Sequence, residues 1–290
     1  MASKRTSLTA SLVAAVRALH NELEGPLKLT DDPHAAQLLP IPMAGPFYAL
    51  SFAPKAARFM HSALGTALLG LPYHIELRTR AIDDALMGAL RDGAEELVIL
   101  GAGLDSRPYR IGALRDVDVF EIDRLPTQEY KQLRIELTAE RSSKSLTYLS
   151  VDFEKDDLTE VLRRGGLLRA AKKMWIWEGV TVYLTPSAIA RTLGEIGGLS
   201  PVGSRLAVTY GPAELDGIGS ALLPFAERAL EAIGEPLLGR TSTAEFQRLV
   251  EDAGFRVLSD ESALDWADRY WAERPSGLRA WERLVVAERV

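Results

Sequence analysis

Apolar and polar positions alternate in two regimes along the chain. From about Ser7 to Glu24, the residues Leu8, Leu12, Val13, Ala15, Val16 and Leu19 recur at helical spacing, which predicts one amphipathic helix packed on something larger. Between Gly25 and Pro72 this periodicity breaks into short apolar bursts (Leu38-Leu39, Phe47-Tyr48-Ala49-Leu50, Ala67-Leu68-Leu69) separated by seven prolines, a pattern of short helices and turns able to cover a site. Tyr73 to Leu90 returns to helical spacing and carries Arg78, Arg80, Asp83 and Asp84.

Beyond that helix the pattern becomes regular. Short apolar runs at Glu96–Leu100, Val117–Ile122, Leu146–Val151, Lys173–Trp177, Arg205–Tyr210, Phe255–Ser259 and Arg283–Glu288 read as strands, with helical stretches between the first five. This alternation predicts an α/β fold with a parallel, doubly wound sheet. Gly211–Gly239 places Leu222, Leu223, Phe225, Leu230 and Ile233 on an apolar stripe and reads as a helical insert after the fifth strand, positioned to roof a site. Thr243–Ala253 reads as a helix stopped by Gly254, and a loop then joins the last two strands as a terminal pair. The expectation is a single domain over 1–290: an N-terminal helical cap (1–75), a cofactor-binding core (76–210), an insert or lid (211–240), and a terminal helix and strand pair (241–290).

Composition narrows the chemistry. A chain of 290 residues, 47% of them hydrophobic, can bury a large core. Its net charge of −6 is dispersed, without the basic stripe that nucleic-acid binding requires. There is no cysteine, which removes disulfides, thiolate nucleophiles and Cys-ligated metals together. No His/Asp/Glu cluster has ligand spacing, so no metal is expected. The start of the chain is too polar for a signal segment and no apolar run is long enough for a membrane span, so the reading is a cytoplasmic protein with no membrane partner.

The most informative stretch is Leu100-Gly101-Ala102-Gly103-Leu104-Asp105-Ser106-Arg107, followed by Phe120-Glu121-Ile122-Asp123. Gly101 and Gly103 let the backbone turn sharply and approach a ligand without a Cβ in the way, and Ala102 lies between them. Asp123, about twenty residues on, is placed to accept hydrogen bonds from ribose hydroxyls. The third glycine of the dinucleotide fingerprint is replaced by Ser106, which disfavours a pyrophosphate over the next helix. S-adenosylmethionine has the adenosine without the phosphate and suits the motif better; a nicotinamide or flavin nucleotide, or a plain glycine turn, are the alternatives.

Ligands of open parallel sheets gather at the carboxyl ends of the strands. There Asp152 can accept from the adenine amine while Phe153 offers an apolar face, although Asp152 equally suits a helix cap near Lys155 or Asp156. Glu178 can bind the methionyl ammonium, or else serve as a helix-start or salt-bridge residue. Arg80 is the candidate for the methionyl carboxylate, with Arg78 and Lys28 as substitutes. Asp83 and Asp84 read as structural, fixing Arg78 or Arg80, and Arg107 and Arg110 as braces paired with carboxylates.

These blocks, together with Arg78-Thr79-Arg80-Ala81-Ile82-Asp83-Asp84, Tyr148–Asp152 and Trp177-Glu178-Gly179-Val180-Thr181-Val182-Tyr183-Leu184, resemble the leucine carboxyl methyltransferase-like family of class I S-adenosylmethionine-dependent O-methyltransferases, which includes polyketide O-methyltransferases. The resemblance implies a seven-stranded methyltransferase sheet with its last strand antiparallel. It implies cofactor roles for Arg80, Gly101, Asp123, Asp152, Phe153 and Glu178, with S-adenosylhomocysteine as product. It does not extend to a substrate.

Methyl transfer requires an in-line approach of acceptor to methyl and exclusion of water. A carboxylate acceptor is already ionised and needs no base; for a phenol or alcohol the available groups are His20, His34, His61, His74, Tyr183 and Tyr210, of which the two tyrosines are the candidates on the acceptor side. The reading is an O-methyltransferase acting on a small organic acid or a phenolic or polyketide metabolite. The alternatives are a protein C-terminal carboxyl methyltransferase, a nicotinamide-dependent oxidoreductase, disfavoured by the absence of a Tyr-x-x-x-Lys pair, and a non-catalytic S-adenosylmethionine-binding module.

Overall fold

A run of apolar residues buried on both faces needs cover on both sides, and the strand β1 (Glu96–Leu100) has it, with all five residues buried. In the computed structural model, which describes residues 7–135, 139–167, 170–213, 223–224, 227–228, 230–232 and 234–290, β1 is an interior strand of one mixed sheet. The other strands of the sheet are β2 (Asp118–Asp123), β3 (Ser145–Ser150), β4 (Lys173–Trp177), β5 (Arg205–Pro212), β6 (Arg240–Thr241), β7 (Phe255–Ser262) and β8 (Arg283–Arg289). The order is β3-β2-β1-β4-β5-β8-β7, with the two-residue β6 paired to the end of β5. Pairing is parallel except at β8, which runs antiparallel to both β5 and β7.

Side chains alternate across β1. Leu97 and Ile99 face one layer, where Leu77, Ile82 and Leu86 of the helix α5 (Leu71–Arg91) pack with Met174, Ile176 and Trp266. Val98 and Leu100 face the other, with Trp175, Trp177, Leu162, Ile189 and Leu193. Helices therefore cover both faces, as the alternating pattern predicts. The strand order reverses between β1 and β4, which opens the crevice where ligands of such sheets bind.

Two features depart from the sequence expectation. The β6 pairing is one, and two residues carry no period to read. The other is the connection expected as a loop between the last strands, which holds a helix, Ala263–Tyr270. Its start is set by a capping box in which Ser262 and Asp265 bond reciprocally, and it buries Trp266 beneath α5.

The N-terminal region forms α1 (Leu8–Asn21), α2 (Ala35–Leu38), α3 (Ile41–Ser51) and α4 (Pro54–Ala67). Ala14 and Ala18 of α1 pack with Leu38, Leu39, Leu104 and Tyr109, which lays α1 across the turn that follows β1. The small alanine side chains permit that approach: a Cβ placed on Gly103 would stand 3.6 Å from the Cβ of Ala10. In the insert after β5, residues 223–224, 227–228 and 230–232 are helical; Leu222, Phe225 and Ile233 of its expected stripe lie outside the described residues. Among the described residues, no helix is long and apolar enough to cross a membrane.

Candidate functional site

The chain leaves β1 through Gly101 (φ 66°) and Gly103 (φ 49°), both left-handed. The N–H groups of Gly101 and Ala102 donate to the Ile122 carbonyl at 2.7 and 3.0 Å, and that of Gly103 donates to the Asp123 carboxylate at 2.5 Å. A Cβ on Gly101 would collide with Val180, so the turn closes against the loop that follows β4. The expected third-glycine position, Ser106, donates to buried Asp32 at 2.6 Å instead of opening toward a phosphate.

Asp123 ends β2 beside this turn. One carboxylate oxygen receives the Gly103 N–H and the other the Arg124 N–H, at 2.6 Å, and each oxygen keeps a further lone pair for a ligand donor. Burial raises its pKa, and the two backbone donors oppose that rise. Glu121, two residues earlier on the same strand, points elsewhere and is sealed against Lys131, whose Nζ lies 2.6 Å from both of its oxygens.

Asp152 follows β3 and stands half-exposed at the rim. Its carboxylate accepts from the Glu154 N–H at 3.1 Å and from Lys155 at 3.0 Å, making a turn rather than a helix cap. The helix that follows begins at Leu158 and is capped by Asp157. Phe153 is turned inward, its ring 6.0 Å from that of Trp177, so most of the apolar face expected for adenine is spent on the core.

Glu178 follows β4 and receives Arg78 Nε at 2.9 Å and Arg107 Nη1 at 2.8 Å, one on each carboxylate oxygen. Burial acts to raise its pKa, but the guanidinium groups of Arg107 and Arg78 outweigh it and hold the carboxyl below its ordinary value. Arg107 pairs in addition with Asp83 at 2.7 Å and with Asp105, and Arg110 pairs with Asp83 at 2.8 Å, so both serve as the expected braces. Asp83 is thereby committed to the turn after β1 and not to a neighbour on its own helix.

The arginine at the strand ends is Arg78, not Arg80. Two residues apart on a helix, they project about 200° apart. Arg78 is buried between Glu178 and Glu282, whereas Arg80 is 40% exposed, bonded to Asp84 at 3.0 Å and to the Leu29 carbonyl at 3.2 Å, and lies over the Tyr270 ring. Lys28 is held by Asp31. Glu282, which immediately precedes β8, is the site residue that sequence reasoning missed. No glycine motif or strand-end pattern signals it, because its strand runs against the others.

The two candidate tyrosines separate in the same way. Tyr183 lies in the short helix Thr181–Tyr183 after β4. Burial pushes its phenol up to about 12. Tyr210 is corrected from acceptor-side residue to core residue: it is fully buried, stacked on Phe246 at 4.1 Å, and donates to Asp260 at 2.9 Å. The histidines are engaged as well. His20 and His61 meet at 2.6 Å beneath the cap, His34 bonds Gln37, and His74 is buried against Glu282 at 3.3 Å.

Comparison with known proteins bears on the family and the fold. Residues 10–197 match the family model for leucine carboxyl methyltransferase. A protein of Mycobacterium avium named "Putative S-adenosyl-L-methionine-dependent methyltransferase" is 36% identical over 224 residues, covering 77% of this chain and 70% of that one. A similarly named protein of Mycolicibacterium smegmatis is 36% identical over 218 residues, covering 74% and 69%. Among solved structures, a DUF574 family protein from Streptomyces avermitilis superposes with a TM-score of 0.61 at 16% identity, covering 81% of this chain and 91% of that one. A "putative methyltransferase" from Thermobifida fusca does so with a TM-score of 0.61 at 14% identity, covering 99% and 96%. At these identities the two structures speak for the fold.

Proposed function

The chain belongs to the leucine carboxyl methyltransferase family and is an S-adenosylmethionine-dependent methyltransferase, and from that premise we propose that it methylates an oxygen of a small organic acid or of a phenolic or polyketide metabolite, with a carboxylate as the favoured acceptor. The donor set at the strand ends fits the cofactor. Asp123 holds the ribose hydroxyls beside the turn of Gly101, Ala102 and Gly103, and Asp152 accepts from the adenine amine at the rim with Phe153 beneath it. Arg78 takes the methionyl carboxylate in place of Arg80, and Glu178 the ammonium. The bound cofactor supplies a methyl group on a positively charged sulfur, ready for displacement.

The observation that favours a carboxylate acceptor is where the protonatable groups are. Each histidine is engaged away from the crevice or sealed below it, and Tyr183, with its phenol pushed up to about 12, keeps its proton at neutral pH and serves as a hydrogen-bond donor. Such a site positions an acceptor already ionised and excludes water from it. We read residues 1–75 as the cap and 211–240 as the lid that shape the acceptor pocket, within one domain over 1–290.

Titration with S-adenosylhomocysteine tests the donor half. Micromolar binding at one site per chain is expected; Arg78→Met weakens it about tenfold, by loss of one charge-assisted contact, and Arg80→Met leaves it unchanged. Absence of binding by the folded wild-type chain overturns the reading of these residues. A methyl-acceptor screen led by carboxylic acids tests the other half. With a carboxylate acceptor the rate stays flat from about pH 6 to 9, because the acceptor ionises near 4; a rate rising steadily toward pH 10 assigns a phenol instead.

A further inference from the structure

The parallel strands deliver their carboxyl ends to the crevice, but β8 runs the other way, so it is the residue before its first position that reaches the same edge. Arg283 pairs with Tyr210 near the end of β5, and Glu282 therefore stands level with the loop that carries Glu178. Its carboxylate bonds Arg78 Nη1 through Oε2, and the same oxygen lies 3.3 Å from His74 Nε2. His74 and Arg78 are one turn apart on α5, so a single carboxylate from β8 spans both.

Arg78 is thereby gripped on two sides, with Nε on Glu178 and Nη1 on Glu282. A guanidinium is planar, and two fixed donors determine where the third edge points. The end of the group that carries Nη1 and Nη2 lies beside the turn at Gly179, which has a φ of 66°; a Cβ built there would stand 3.7 Å from Nη1 and 3.9 Å from Nη2. Gly179 places no side chain against this end, and among the described residues Nη2 has no hydrogen-bond partner.

We propose that Glu282 is a positioning residue for the amino-acid end of the donor, holding Arg78 so that its free edge meets the donor carboxylate. The inference rests on the donor-site reading given above. Without Glu282, Arg78 keeps its charge and its bond to Glu178 but is free to turn about that bond, and the two-pronged contact is lost. An ion pair serving stability alone would have no such selective consequence.

The experiment compares S-adenosylhomocysteine with 5′-methylthioadenosine, which has the same adenosine and thioether sulfur but lacks the amino-acid group, on the wild type, Glu282→Gln, Arg78→Met and the double variant. Glu282→Gln is expected to weaken S-adenosylhomocysteine about tenfold, with 5′-methylthioadenosine held within about twofold. The double variant should bind no worse than Arg78→Met alone, since the two residues act on one contact. Glu282→Asp, which keeps the charge and retracts it by one methylene, should recover part of the loss, and it replaces the glutamine variant if that variant fails to fold. Equal weakening of both ligands, or unchanged S-adenosylhomocysteine binding, overturns the proposal. The donor reading fails separately, at the wild type: there S-adenosylhomocysteine would not bind at all, before any variant is compared.

Discussion

Arg107→Met is expected to lower folding stability by about 3–5 kcal/mol, the range observed when one partner of a buried ion pair is removed. Arg107 is 1% exposed, and its guanidinium serves Asp83, Asp105 and Glu178 at once. Two of these carboxylates keep a second arginine, Arg110 for Asp83 and Arg78 for Glu178. Asp105 does not. Burial acts to raise its pKa, and Arg107 is foremost among the cations that hold it down at about 2. Without Arg107 it must either stay charged in a buried site or take up a proton at neutral pH. The expected loss is a large share of the 5–15 kcal/mol typical of a folded domain, so the variant should unfold at a much lower urea concentration with an unchanged slope. Arg107→Lys should recover only part, because a point charge cannot reach three carboxylates arranged around a planar fork. A shift below about 1 kcal/mol for the methionine variant would mean that the cluster contributes little net stability and persists for the sake of the site above it.

The second large effect is on binding. Asp123→Ala should weaken S-adenosylhomocysteine by about 1.5–3 kcal/mol, ten- to a hundredfold, through lost charge-assisted bonds to the ribose. The loss should fall at the upper end of that range, because the carboxylate also anchors the Gly103 N–H and its removal loosens the glycine turn. Unlike Glu282→Gln, this variant should weaken 5′-methylthioadenosine to the same extent, since that ligand keeps the ribose. Calorimetric titration of both ligands checks the assignment, and an unchanged affinity in a folded Asp123→Ala protein removes Asp123 from the ribose site.

Much of this arrangement is legible in the sequence wherever the signal is local. Short apolar runs and glycine turns place β1, β2 and β4, and with them Gly101, Gly103, Asp123 and Glu178 on one edge of the sheet. What is not legible depends on the direction in which a side chain leaves its element. Arg78 and Arg80 sit in the same motif, and only the rotation of α5 against β4 decides which of them is buried. Tyr210 belongs to a strand whose end approaches the crevice, yet its ring packs inward onto Phe246. Glu282 is hidden for a topological reason: strand-end logic searches after parallel strands, and this residue comes before an antiparallel one.

That topology also bears on how the molecule comes into being. β8 is the last of the eight strands to be synthesised, yet it is inserted between β5 and β7 and does not extend an edge. A nascent chain that has already emerged through β7 holds the glycine turn, Asp123, Asp152 and Glu178, but its sheet still has a gap and Arg78 lacks one of its two carboxylates. On the proposed donor site, tight donor capture belongs to the finished sheet, and protection from proteolysis by S-adenosylhomocysteine is expected to be stronger for molecules in which β8 has docked than for incomplete ones.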